Sequence, residues 1–126
     1  MDRRPILTQA GGVALELAVT IPTLILVLLA LLEVVAVARV QLELVAAARE
    51  GVRVAATVVD PAAAVRATQQ AVGPNLSDRI VVDVTRPTVP GRQATVQVML
   101  RHQMVTPLLR WLSVDLSGRA VMRVER

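Results

Sequence analysis

The first third of the chain contains an apolar run long enough to cross a membrane. Residues 17–32 are apolar except for Thr20, Pro22 and Thr23. At 1.5 Å rise per residue, a helix over this run is roughly 24 Å long, slightly short of the ~30 Å hydrocarbon core of a bilayer. An extension through residues 34–38 completes the span, so the pattern predicts a transmembrane helix.

Beyond the span, apolar positions continue at helical spacing, which predicts that the same helix extends outside the membrane. Its apolar stripe consists of Val37, Leu44, Ala48 and Ala55, with Val45, Val52 and Val59 beside them. Charged residues lie off this stripe, as expected for a solvated face, and Arg39 and Glu43 are i,i+4 neighbours of opposite charge. Gly51, which is unfavourable inside a helix, is expected to mark a bend or a close contact.

A short second helix is delimited by residues typical of helix ends. Asp60 suits the N-cap and Pro61 the first helical position. Gly73 followed by Pro74 provides a stop. The predicted helix covers residues 62–72, and its docking side chains are Ala64, Val65, Ala71 and Val72.

The last part of the chain alternates apolar and polar residues with a period of two, over residues 79–86, 94–102 and 114–125. The predicted inward side chains are Ile80, Val82, Val84, Val96, Val98, Leu100, Val114, Leu116, Ala120, Met122 and Val124. Residues 88–92 connect the first two strands as a hairpin. A three-stranded antiparallel sheet with one apolar face needs a covering helix, and the outer part of the long helix can provide it. The predicted fold class is α+β.

Two residues near the last strand are candidates for special roles. Trp111 is predicted to fill the rim of the small core, with an exposed contact to a neighbouring subunit or a surface as the alternative. His102 ends an apolar strand face, which favours a partly buried structural residue over a ligand or a base.

Composition excludes several function classes. All fourteen basic residues are Arg, the net charge is +4, and the arginines are scattered, so the chain lacks the footprint of a nucleic-acid-binding protein. There is no Cys for disulfides or thiolate metal sites. No phosphate loop, zinc motif or nucleophile elbow is present, so we expect no enzyme activity and no cofactor.

The charges around the span bear on its orientation and processing. Arg3 and Arg4 precede it, so the positive-inside rule predicts a cytoplasmic N-terminus. Glu16 lies at the entrance of the apolar run, directly after Gly11, Gly12 and three apolar residues. An acidic residue at mid-bilayer costs roughly 2.5–3.5 kcal/mol, so Glu16 is either peripheral or used.

Three fates of this segment compete. A secretory signal peptide would be cut after Ala38, where residues 36–38 have the A-x-A form. An uncleaved anchor would retain the whole segment. A prepilin-type leader would be cut between Gly11 and Gly12, which makes Glu16 the fifth residue of the mature chain.

The third fate agrees with a family resemblance. The stretches "GGVALELAVTIP", "AAAREGVRVAA" and "GRAVMRVER", with Glu33 at the end of the span, resemble the TadE-like pseudopilins of tight-adherence (Flp-type) pilus systems. The resemblance implies a pilin-like fold, with the sheet packed on the long helix. It also implies a minor pilin or pseudopilin that is processed by a prepilin peptidase at Gly11 and Gly12.

The expected domains are a cytoplasmic leader (1–11), a transmembrane helix (12–38) and an extracytoplasmic helix-plus-sheet domain (39–126). Glu16 and Glu33 are the expected assembly residues. The expected partners are other pilin or pseudopilin subunits, the assembly machinery and membrane lipid. The alternative function is an unprocessed single-span envelope scaffold with an exported interaction domain.

Overall fold

The computed structural model describes the backbone of residues 7–125 and the side chains of residues 11–125. Helix α1 (Leu7–Thr57) is followed by helix α2 (Pro61–Ala71) and by strands β1 (Ile80–Thr85), β2 (Gln93–Gln103) and β3 (Ser113–Arg123). A short 3-10 turn, Pro107–Leu109, lies between β2 and β3. The predicted α+β fold is therefore confirmed. The chain divides into two compact units, Met1–Val34 and Val35–Arg126.

Within the first unit, residues 11–34 form an exposed apolar stretch of α1. Most of its apolar side chains from Val13 to Val34 are half or more exposed, although they are among the most hydrophobic in the chain. The helix has the length and composition to cross a membrane, with a mean hydropathy of 2.7 in its apolar window. The hydroxyl of Thr23 donates to the carbonyl of Val19 at 2.8 Å, so this polar group is satisfied within the helix. Apolar exposure on this scale fits a surrounding solvent of lipid chains.

The second unit contains the antiparallel sheet, whose strand order is β1-β2-β3. Val82 lies opposite Val98, and Val98 lies opposite Gly118, so the predicted inward residues share one face. That face meets α1 in a core of Leu44, Ala47, Ala48, Val52, Ala55, Ala64, Val72, Ile80, Ala94, Val96, Val98, Leu100, Leu116 and Val124. Met122 also lies on this face, opposite the buried Ala94, although 39% of its side chain is exposed near the end of the edge strand β3.

Helix α2 begins as predicted, and Ala64 and Val72 dock as predicted, with Thr68 in place of Ala71. The carboxylate of Asp60 accepts from the backbone N–H of Ala62 at 2.9 Å, and Pro61 occupies the first turn. Ala64 is buried, but Ala71 is exposed and Thr68 is fully buried in its place on this face. The Thr68 hydroxyl donates to the carbonyl of Ala64 at 2.8 Å, which permits its burial.

Two glycines allow α1 to approach its neighbours closely. A Cβ added to Gly118 of β3 would lie 2.5 Å from the backbone carbonyl of Leu44. A Cβ added to Gly51 would collide with the hydroxyl of Thr68 on α2. Gly51 therefore marks a close contact between helices, which is one of the two predicted alternatives.

The C-terminal end of α1 is hydrogen-bonded to Arg86, which follows β1, and to Glu125, which follows β3. The last carbonyls of a helix have no partner within it. The carbonyl of Ala55 accepts from Nε of Arg86 at 2.7 Å, and that of Ala56 accepts from the backbone N–H of Glu125 at 3.0 Å. The Arg86 guanidinium also places positive charge at the negative end of the helix dipole.

We expect Gly118→Ala to destabilise the protein by about 1–3 kcal/mol, because the new methyl group would meet helix backbone that cannot rotate away. The free energy of unfolding of the detergent-solubilised full chain, measured by urea titration, checks this. Ser117→Ala is the matched control, since the Ser117 side chain is exposed on the same strand. Equal stability of the two variants would contradict the close approach.

Candidate processing and assembly site

The predicted processing residues lie near the beginning of α1 and are open to their surroundings. Gly11 and Gly12 are both exposed, and no atom lies within 4 Å of the position of an added Cβ at either residue. Arg3 and Arg4, the basic residues of the predicted leader, lie outside the described residues. Each glycine lowers helix stability by about 1 kcal/mol relative to Ala, which weakens α1 locally at this point. This local weakness suits a peptide bond that a protease must bind in extended form.

Glu16 lies four residues after Gly12 and therefore on the same face of α1, roughly 6 Å further along the axis. Its side chain is exposed between the exposed apolar residues Leu15 and Leu17. Among residues 11–125, no side chain forms an ion pair with Glu16. The carboxylate is thus available to a group that a cut before Gly12 would create, or to another chain.

Glu33 has a different environment. It is only 6% exposed, and it is the one buried side chain within residues 11–34. A carboxylate that simply ended the span at the headgroup level would be hydrated, whereas a buried carboxylate needs polar or charged partners. Glu16 and Glu33 lie roughly 26 Å apart along the helix axis, with the apolar run between them.

The charged face of α1 in the second unit is arranged differently from the predicted i,i+4 pattern. Arg53 forms an exposed ion pair with Glu50 at 2.6 Å, one turn earlier. The hydrogen bond from Arg53 lowers the pKa of Glu50 below its ordinary value. Glu43 accepts from the backbone N–H of Gly73 at 2.6 Å. Glu43 thus binds the end of α2, so the expectation of a simply solvated residue is wrong.

The prediction that Trp111 fills the rim of the core is wrong, because its side chain is 80% exposed. The buried side chains of His102 and Thr106 occupy that end of the unit instead. The expected burial of His102 is therefore confirmed. The exposed alternative for Trp111 remains.

The sequence did not predict the contact of Arg86 with the end of α1 or the contact of Glu43 with Gly73. Each contact joins residues about thirty positions apart, at 31 for Arg86 and Ala55 and 30 for Gly73 and Glu43. No local pattern signals such a pairing, although a basic residue that approaches a helix end is a general preference. Within residues 11–125, no three His, Asp or Glu side chains are grouped so as to hold a metal ion.

Residues 11–53 match the family model described as TadE-like protein. The match begins at Gly11, includes Gly12, Glu16 and Glu33, and lies entirely within α1. The predicted resemblance is confirmed over this segment, which is about a third of the chain. The likeness of the closing strand lies outside the matched residues and stays a prediction. No curated protein and no solved structure matches the chain significantly.

Proposed function

We propose that this TadE-like chain is a minor pilin or pseudopilin that a prepilin peptidase cuts between Gly11 and Gly12 before it joins a tight-adherence pilus. The observation that carries the proposal is Glu16, a carboxylate with no ion-pair partner among residues 11–125, four residues after Gly12 on an exposed apolar helix. In this function the chain undergoes chemistry and carries out none itself.

Cleavage would give the Glu16 carboxylate, which is unfavourable in lipid by itself, a partner of opposite charge. The cut releases a positively charged α-amino group at Gly12, one helical turn from the carboxylate. Each charge alone is unfavourable in lipid, and pairing relieves both. An amine of the same chain could satisfy Glu16, but an amine of an adjacent subunit would also draw the helix out of the bilayer. We propose the second arrangement, since it couples processing to incorporation.

The proposed topology follows from the same helix. Residues 1–11 form a cytoplasmic leader, residues 12–38 cross the membrane, and residues 39–126 fold outside it. The exposed apolar side chains of the first unit and the compact core of the second support this division. The domain outside would present surfaces to other pilus subunits and to the assembly machinery.

Glu33 is proposed as a second assembly residue. Its burial at the far end of the apolar run supports a paired carboxylate over one that only ends the span. A partner arginine, either Arg39 or one from a neighbouring subunit, would set the register of the helix during assembly.

Leader cleavage is tested with Gly11→Leu. We expect this variant to accumulate as the full-length form in cells with an active prepilin peptidase, because a bulky side chain would block the residue before the cut. Intact mass and N-terminal sequencing of the membrane-resident protein give the result. Ala14→Leu, also exposed on α1, is the control and should be processed normally. Wild-type protein that begins at Met1 would favour the unprocessed scaffold, and one that begins at Arg39 a secreted module.

The role of Glu16 is tested with Glu16→Leu and Glu16→Gln, scored separately for leader cleavage, membrane level and incorporation into pilus complexes. We expect cleaved and stable protein that is not incorporated, because the variants lack the charge that pairs with the new amine. Thr20→Leu, one turn further along α1, is the control and should incorporate. Incorporation of Glu16→Leu at the wild-type level would refute the assembly role.

For Glu33 we expect Glu33→Gln to insert normally and to assemble poorly, since the substitution keeps the shape of the side chain and removes its charge. Membrane fractionation and pilus yield separate the two effects. Glu50→Gln, in the exposed part of the same helix, is the control and should leave assembly unchanged. Full pilus yield from Glu33→Gln would leave Glu33 with no assembly function.

A further inference from the structure

The connection between β2 and β3, residues 104–112, exposes large apolar side chains at its tip. Trp111 is 80% exposed, Leu108 66% and Val105 63%. Hydrophobic side chains that are exposed singly are common on proteins, but a cluster containing a Trp marks a contact surface. This group is defined as the apolar tip.

Hydrogen bonds within the loop fix the conformation of the apolar tip. The N–H of Met104 donates to the carbonyl of Leu112 at 3.2 Å and closes the loop, while the N–H of Leu109 bonds the carbonyl of Thr106 at 2.9 Å. The indole N–H of Trp111 donates to the carbonyl of Leu108 at 3.1 Å. The polar atom of the indole is therefore already paired, which lowers the desolvation cost of moving the ring out of water.

The position of the tip within the second unit follows from contacts of β3 with α1. Gln41 donates to the carbonyl of Ser117 at 2.7 Å, and Ala56 accepts from Glu125 at 3.0 Å. Strand β3 therefore runs in the same direction as α1. Ser113, four residues before Ser117, lies roughly 13 Å further back along the strand.

The equivalent distance along α1 from Gln41 to Val35 is roughly 9 Å. The loop that precedes Ser113 therefore reaches the end of the unit at which Val35 lies. Val35 is three residues after Leu32, the last residue of the apolar run. The tip consequently lies at the end of the unit that begins at Val35, and Val35 is within the last four residues of the proposed span, residues 12–38.

The charge of this end suits a phospholipid surface. Residues 104–112 contain the exposed Arg110 and no Asp or Glu, whereas Arg101 on β2 lies opposite Asp115 and donates to the hydroxyl of Ser113 at 3.0 Å. Guanidinium groups bind phosphate, and Trp is enriched at the level of lipid headgroups.

We propose that the apolar tip inserts into the headgroup layer of the membrane that α1 spans, with Trp111 as the anchor and Arg110 on lipid phosphate. This contact would fix the height of the domain on the bilayer before assembly. It depends on the membrane span and not on leader cleavage or pilus incorporation.

The chain offers a direct test, because Trp111 is its only Trp and it has no Tyr or Phe. The full chain is reconstituted without partner proteins into vesicles of phosphatidylcholine and phosphatidylglycerol, with or without lipids brominated near the headgroup. We expect blue-shifted emission, loss of most of the fluorescence with brominated lipid, and protection from aqueous iodide. Vesicle flotation reports the span independently.

The matched control moves the fluorophore to the other end of the sheet, in Trp111→Leu/Val89→Trp. Val89 is exposed in the β1–β2 loop, which bonds to Val124 near the end of α1. This variant should float equally well, emit at longer wavelength and resist brominated lipid. If wild-type protein floats but its emission is quenched by iodide and not by brominated lipid, the anchor is refuted. An emission shift that vanishes on dilution of protein in lipid would assign the tip to contact between protein copies and also refute it.

Discussion

The structure outside the proposed span depends on how closely one helix can lie against one sheet. At Gly118 the strand backbone is near enough to the backbone of Leu44 that even a methyl group would not fit. On α1 the facing positions include Ala47, Ala48 and Ala55, all fully buried. A core with no Phe or Tyr is thin, so its stability depends on close contact rather than on large side chains.

The composition of α1 changes at Val35, between the proposed membrane span and the compact second unit. Residues 13–34 are apolar except for Glu16, Thr20, Pro22, Thr23 and Glu33, a composition that fits a helix surrounded by lipid. After Val35 small apolar residues form one stripe and charges the other face. At the C-terminal end of the helix, the Arg86 side chain and the backbone N–H of Glu125 donate hydrogen bonds to two of its last carbonyls. The C-terminal tail is thus part of the helix end as well as of the sheet.

The two carboxylates of the first unit differ in a way that matters for their roles. Glu16 is exposed and has no ion-pair partner among the described residues, whereas Glu33 is buried. An exposed charge in lipid is a reason to bind something else, and a buried charge is part of an arrangement already made. This difference is the basis for proposing recruitment at Glu16 and helix register at Glu33.

Local patterns in the sequence determined the elements: the long helix, the Asp60-Pro61 start of α2, the period-two strands and the inward faces of Val96 and Val98. These follow from periodicity and capping, which act between near neighbours. Tertiary structure alone decided the partner of Glu43, the burial of Thr68 and the exposure of Trp111. Those outcomes depend on the distances between elements that are not neighbours in sequence, and these distances are set by packing of the whole unit, which no local pattern contains.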